Sequence, residues 1–107
     1  MYYDIWDTIL VEYWFTDFSD KKIRPALIIW QYKEDYIVLA ISSKESNWLN
    51  FEIYERHLSE WKLLIRSYIK INNISTLHYS VITKKIAKMK SEVVSNVIEK
   101  FNKEILG

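Results

Sequence analysis

Residues 3–15 are rich in aromatic and β-branched side chains, the composition of a strand packed on a pleated, half-buried surface. Turn formers fill residues 16–22, a polar loop. Arg24-Pro25 then opens a second strand over residues 26–31, and proline is tolerated there because the first residue of a strand need not donate to the ladder. Lys33-Glu34-Asp35 reads as a tight turn and the apolar run 36–41 as a central strand, so these two strands form a hairpin. Residues 42–47 read as a polar loop and residues 55–61 as a short helix. Leu63, Ile65, Ser67, Ile69 and Ile71 alternate with Leu64, Arg66, Tyr68 and Lys70, which predicts a half-buried strand. Asn72-Asn73 reads as a bend and residues 81–89 as the last strand.

The period changes near the end of the chain. Val94, Val97, Ile98, Phe101 and Ile105 fall on one helical face, Ser91 is placed to cap that helix, and Glu99 and Lys103 stand four apart on its wet side. Strands followed by one C-terminal helix define an α+β class, and the small sheet has enough strands to close into a barrel. No linker, repeat or low-complexity segment divides residues 1–107, so a single domain is expected.

Composition narrows the function classes. Half of the residues are apolar, enough for a real core, and the net charge of +1 excludes a polycationic nucleic-acid coat protein. Any binding to phosphates must come from a local patch. With no cysteine, disulfides and thiolate metal sites are excluded, which fits a reducing cytoplasm. His57 and His78 lack a metal-ligand spacing. Met1-Tyr2-Tyr3-Asp4 has neither the basic start nor the apolar stretch of a signal peptide. The longest apolar runs, 26–30 and 36–41, are far shorter than the roughly 20 residues a bilayer requires, so no membrane association is expected. One glycine and one proline leave the turns to Asp, Asn and Ser.

Several short motifs stand in a fixed order. Asp4-Ile5 precedes the first strand, and Phe15-Thr16-Asp17-Phe18 leads into a polar loop and then Arg24-Pro25-Ala26 with an aliphatic run. Val38-Leu39-Ala40-Ile41-Ser42-Ser43 is an apolar strand ending in hydroxyl residues. Ser67 to Asn72, Thr76-Leu77, Lys84-Lys85-Ile86-Ala87-Lys88 and Ser91-Glu92 complete the series. This ordered set, spanning nearly the whole chain, resembles the MazF/PemK family of type II toxin–antitoxin toxins. Tyr3, Ser19, Asp20 and Ala87 stand where that family usually has glycine, Ser42 where it has threonine, and Asn72 where many members have aspartate.

The resemblance implies an SH3-like small β-barrel of about five to seven strands with a C-terminal helix. It also implies a metal-independent, sequence-selective endoribonuclease that cuts single-stranded RNA to 2′,3′-cyclic phosphate and 5′-hydroxyl ends. No cofactor is implied; a homodimer and a neutralising antitoxin are. Arg24 matches the catalytic arginine and Ser42 the phosphate-contacting hydroxyl residue, with Ser43, His78 and Asn72 as further catalytic or RNA-binding candidates. Asp17, Lys21, Lys22, Trp48, Lys84 and Lys85 are candidates for RNA binding.

Each residue also has a plainer reading. Arg24 suits phosphate oxygens with its forked, permanently charged guanidinium, but it could equally pair with Asp17 or Asp20. Ser42 could cap a backbone N–H. His78 has the chemistry of an acid or base near neutrality, yet a lone histidine on a surface needs no function, and the same holds for His57. Lys84, Lys85, Lys88 and Lys90 could neutralise phosphates or simply guard a strand edge. Trp14, Phe15 and Trp48 could stack on bases or fill the core. Two other functional readings stay open: a gyrase-directed toxin of the CcdB kind, and an inactive binding module. An Arg24 held in a carboxylate cage away from Ser42 would favour the module.

Overall fold

The computed structural model describes residues 3–14, 21–42, 50–53, 58–60 and 67–107. Their strands are β1 (Asp7–Trp14), β2 (Lys21–Tyr32), β3 (Asp35–Ser42), β4 (Asn50–Ile53), β5 (Leu58–Glu60), β6 (Ser67–His78) and β7 (Ile82–Met89), followed by helix α1 (Ser91–Phe101). The strands form one antiparallel sheet of seven in the order β4-β6-β3-β2-β1-β7-β5. The end strands β4 and β5 do not pair with each other among the described residues, so the SH3-like sheet is curled rather than closed.

Residues facing each other across an antiparallel pair share a face, and neighbours along a strand alternate faces. Both faces of this sheet are apolar. On one, Leu27, Leu39, Ile41, Ile53, Ile69 and Ile71 pack with Val93, Val94 and Val97 of α1. On the other, Ile9, Val11, Ala26, Ile28, Tyr36 and Val38 form a second core, against which Tyr3, Leu77 and Tyr79 pack. Burial on both sides explains why residues 36–41 read as an unbroken apolar run instead of an alternation. Register shifts between β1 and β7 at Thr8/Ile9 and Leu10/Val11 bend the sheet where a flat ladder could not curl.

The β2–β3 hairpin turns through Lys33 and Glu34, with Lys33 in the left-handed region at φ 56°. Its register is thereby set: Ala26 faces Ala40, Leu27 faces Leu39 and Ile28 faces Val38. Tyr36 is fully buried, and its hydroxyl meets the Tyr3 backbone N–H at 3.2 Å and Gln31 Nε2 at 3.4 Å, which satisfies its polar end.

Several expectations change. The second strand already begins at Lys21, so Pro25 lies within it opposite Leu10 of β1 and not at its opening. The first strand begins at Asp7, not residue 3, because Trp6 adopts φ 76° in a turn closed by Asp7 N–H donating to Asp4 O at 3.1 Å. Trp6 is held there by its own N–H to Ile28 O at 2.7 Å and by Met89 N–H to Trp6 O at 3.1 Å. In place of the helix expected over 55–61, Leu58–Glu60 is a strand pairing with β7; residues 54–57 and 61 lie outside the described set. Ser91 is the first helical residue and not the cap: extended Lys90 holds the cap position without a side-chain hydrogen bond. On α1 the buried residues are Val93, Val94 and Val97, while Ile98 and Ile105 stay largely exposed. The helix therefore meets the core through a narrower stripe than its apolar face allows.

Leu39 is fully buried at the meeting of β3 and the helix-side core. Leu39→Ala should cost about 2–5 kcal/mol of unfolding free energy, read from urea titration.

Candidate functional site

The second face of the sheet changes character along its strands. On β3 it runs from buried Tyr36 and Val38 to half-buried Ala40 and Ser42. On β2 it runs from buried Ile28 and Ala26 to exposed Arg24. The hairpin register, carried two residues past its last pair, sets Arg24 opposite Ser42. Two residues 18 apart in sequence thus line one cleft because a tight turn fixes how the strands align.

The next strand completes the site. Ser42 faces Tyr68 on β6, and Ile41 faces Ile69. The ladder then jumps: Leu39 faces Ile74, so residues 70–73 bulge out opposite Ala40. The bend expected at Asn72-Asn73 is this bulge inside a longer strand. Ile71 stays fully buried in the helix-side core, while Asn72 and Asn73 are exposed. An extra loop of strand held by one buried anchor re-aims its neighbours, which is the usual structural effect of such bulges.

Arg24, Ser42, Lys70, Asn72 and Asn73 line one cleft of about 640 Å³, floored by Ala40, Ile41 and Ile74. Its described lining has two cations, a hydroxyl and two carboxamides, with no carboxylate or imidazole. Arg24 makes no hydrogen bond or ion pair among the described residues. Lys70 Nζ donates to Asn50 Oδ1 at 2.7 Å and lies 5.5 Å from the Tyr68 ring centre. Hydrogen-bond donors and positive charge converging on one concave surface suit a polyanionic ligand.

Other sequence candidates fall elsewhere. His78 faces Asp35 at the opposite end of β3 from Ser42, seven residues or about 23 Å away at strand rise. There its Nε2 meets Glu34 Oε2 at 3.1 Å and its Nδ1 meets Ser80 Oγ at 2.9 Å, so it ties a turn together. Lys84 and Lys85 lie on β7, facing Leu10 and Ile9 across β1, and neither lines the cleft. Lys85 and Lys88 instead reach the buried Asp7 carboxylate at 3.5 and 3.3 Å. Asp17, Ser43, Trp48, His57 and Phe15 lie outside the described residues, and only the backbone is described for Trp14, Lys21 and Lys22. Lys70 and Asn73 were missed by sequence reasoning. The one available signal was the placement of Lys70 beside Tyr68 on the polar side of an alternating strand.

A second concavity of about 310 Å³ opens between α1, β2 and Trp6, lined by apolar residues such as Ile29, Trp30, Ile98 and Phe101. It offers no group for bond-making chemistry, so the polar cleft is the candidate site.

Residues 10–105 match the model of a family described as PemK-like, MazF-like toxin of type II toxin-antitoxin system. Among solved structures, a crystal structure of MazE-MazF (Form-II) from Deinococcus radiodurans superposes with a TM-score of 0.71 at 11% identity, covering 96% of this chain and 95% of that one. The Mycobacterium tuberculosis toxin MazF-mt6 gives a TM-score of 0.66 at 13% identity, covering 89% and 93%. At such identities the likeness shows the fold. No curated protein is matched by the sequence.

Asp7 is 2% exposed and its carboxylate faces both Lys85 and Lys88. Replacing both lysines by methionine strands that carboxylate and should cost about 3–5 kcal/mol in urea titration, against a near-neutral effect if they were solvated surface charges.

Proposed function

We propose a ribonuclease function for this chain, which belongs to the PemK-like, MazF-like toxins of type II toxin–antitoxin systems. The reaction is metal-independent, sequence-selective cleavage of single-stranded RNA, mRNA above all, and the site is the cleft around Arg24 and Ser42. The observation that carries this reading is that those two residues share a cation-rich cleft.

The chemistry asks little of the protein. The 2′-hydroxyl oxygen of the substrate attacks the adjacent phosphorus in line with the P–O5′ bond. That bond breaks, a 2′,3′-cyclic phosphate forms, and the 5′ oxygen leaves as a hydroxyl. The 2′ proton passes to solvent and the 5′ oxygen takes one from it. Negative charge builds on the non-bridging oxygens, where the Arg24 guanidinium can fork onto two of them and the Ser42 hydroxyl can donate to one. Arg24 stays protonated throughout, so it acts by charge and position and not as a base. The Asn72 carboxamide, at the rim of the same cleft, is placed to contact the sugar or base beside the reacting phosphate.

The partners of this reading are single-stranded RNA, a second copy of the chain in a homodimer, and a cognate antitoxin, as in the MazE-MazF complexes of Deinococcus radiodurans. The substrate places the activity in the cytoplasm. Among the described residues no helix is long and apolar enough to cross a membrane.

The test is incubation of the purified protein with a long unstructured RNA in EDTA, followed by end-group analysis. Discrete fragments with cyclic-phosphate ends are expected. Arg24→Ala should slow cleavage by about 100-fold or more, the scale of losing one oxyanion-stabilising donor, while its circular dichroism stays unchanged. Ser42→Ala should cost less, since it removes a neutral donor. His78→Gln, at the far end of β3, should leave the rate unchanged. Wild-type cleavage by Arg24→Ala would overturn the assignment.

A further inference from the structure

We propose that Lys70 is a second phosphate-binding residue of the cleft, taking a phosphodiester that flanks the one held by Arg24 and Ser42. This rests on the ribonuclease reading and extends it from the reacting phosphate to the path of the RNA backbone.

The placement follows from the ladder. Ser42 faces Tyr68, and Lys70 follows two residues further along β6, at the point where that strand leaves the β3 ladder. Tyr68 and Lys70 alternate with Ile69 and Ile71, both fully buried on the opposite face, so Lys70 projects from the face that carries Ser42. It lines the same cleft as Arg24.

Its ammonium is also held. Asn50 Oδ1 accepts one of its hydrogens at 2.7 Å, and the Tyr68 ring lies 5.5 Å from Nζ. Asn50 is a neutral acceptor, so this contact orients the lysine without itself neutralising it. Asn50 in turn is fixed from the helix, because Lys100 Nζ donates to Asn50 O at 2.7 Å. A flexible lysine whose head is pre-oriented loses less side-chain entropy when a phosphate docks. Helix α1, strand β4 and the bulge of β6 thereby set the position of a single charge beside the reacting centre.

The test uses a 2′-O-methyl RNA oligonucleotide of a sequence that the protein cleaves, which lacks the attacking hydroxyl and so reports binding alone. Its affinity for the full chain is measured by fluorescence anisotropy across a salt series for wild type, Lys70→Gln and Lys70→Arg. Lys70→Gln should weaken binding several-fold at low salt and reduce the slope of log K against log salt by about 0.7, the value for one lost contact to a single strand. Lys70→Arg should restore the slope. A purely structural lysine would leave the slope unchanged. Equal slopes for wild type and Lys70→Gln, with both binding, would overturn the role of Lys70 while leaving the ribonuclease reading in place. A folded wild type that neither binds this oligonucleotide nor cleaves its unmodified counterpart would overturn both.

Discussion

The break in the β3–β6 ladder opposite Ala40 is the constraint on which the candidate site depends. Ile69 and Ile71 must both reach the helix-side core, and Ile74 must rejoin β3 opposite Leu39. Regular pairing cannot meet all three demands with the residues available, so 70–73 leave the ladder. The expelled residues emerge where the second face of the sheet stops being core, beside Ser42 and Arg24. The cleft is thus a consequence of how the core is anchored. The buried side chains that stabilise the sheet also determine which polar groups project beyond it.

The charges divide into two populations for a physical reason. Asp7 is buried, and a buried carboxylate is tolerable only when it is paired and hydrogen-bonded. Lys85, Lys88 and the Asp4 backbone N–H, at 2.8 Å from Asp7 Oδ2, meet that need on the β1–β7 side of the sheet. These lysines form the densest basic run in the sequence, yet that carboxylate accounts for two of them. Arg24 and Lys70 are separate in sequence and unremarkable in composition, but the fold places them in one concavity. A protein with a net charge of +1 can in this way present a local positive field without a basic surface.

Much of the fold was legible because local chemistry and tertiary context agree. The 36–41 run and the short turn at Lys33-Glu34 define a hairpin, and its register carries Arg24 to Ser42. Where pairing is remote, the signal fails. Leu58–Glu60 pairs with β7 near the far end of the chain, and three residues carry no period that distinguishes strand from helix. Asn72-Asn73 are turn formers by composition, but their place inside β6 depends on Ile71 reaching the core and Ile74 rejoining the ladder opposite Leu39. His78 stands close to Thr76-Leu77 in sequence, and only the antiparallel run of β6 along β3 reveals that it sits at the wrong end for Ser42. Lys70 was hidden for the opposite reason: a lysine on the polar side of an alternating strand is what solvent exposure alone would produce.

Helix α1 links the core to the cleft. Its buried stripe covers the core that anchors Ile69 and Ile71, and its Lys100 reaches the backbone of Asn50, whose side chain holds Lys70. The helix therefore supports the cleft twice, once through apolar packing under the bulge and once through a polar chain at its rim. In-line attack by an RNA hydroxyl needs charge and position more than a set of acids and bases. A fold that delivers one arginine, one hydroxyl and an oriented lysine to a single concavity can meet that need while the remaining sequence drifts. At 11% identity to a solved structure of the same fold, this chain sets Arg24 opposite Ser42 through its own hairpin register, while its turns dispense with glycine.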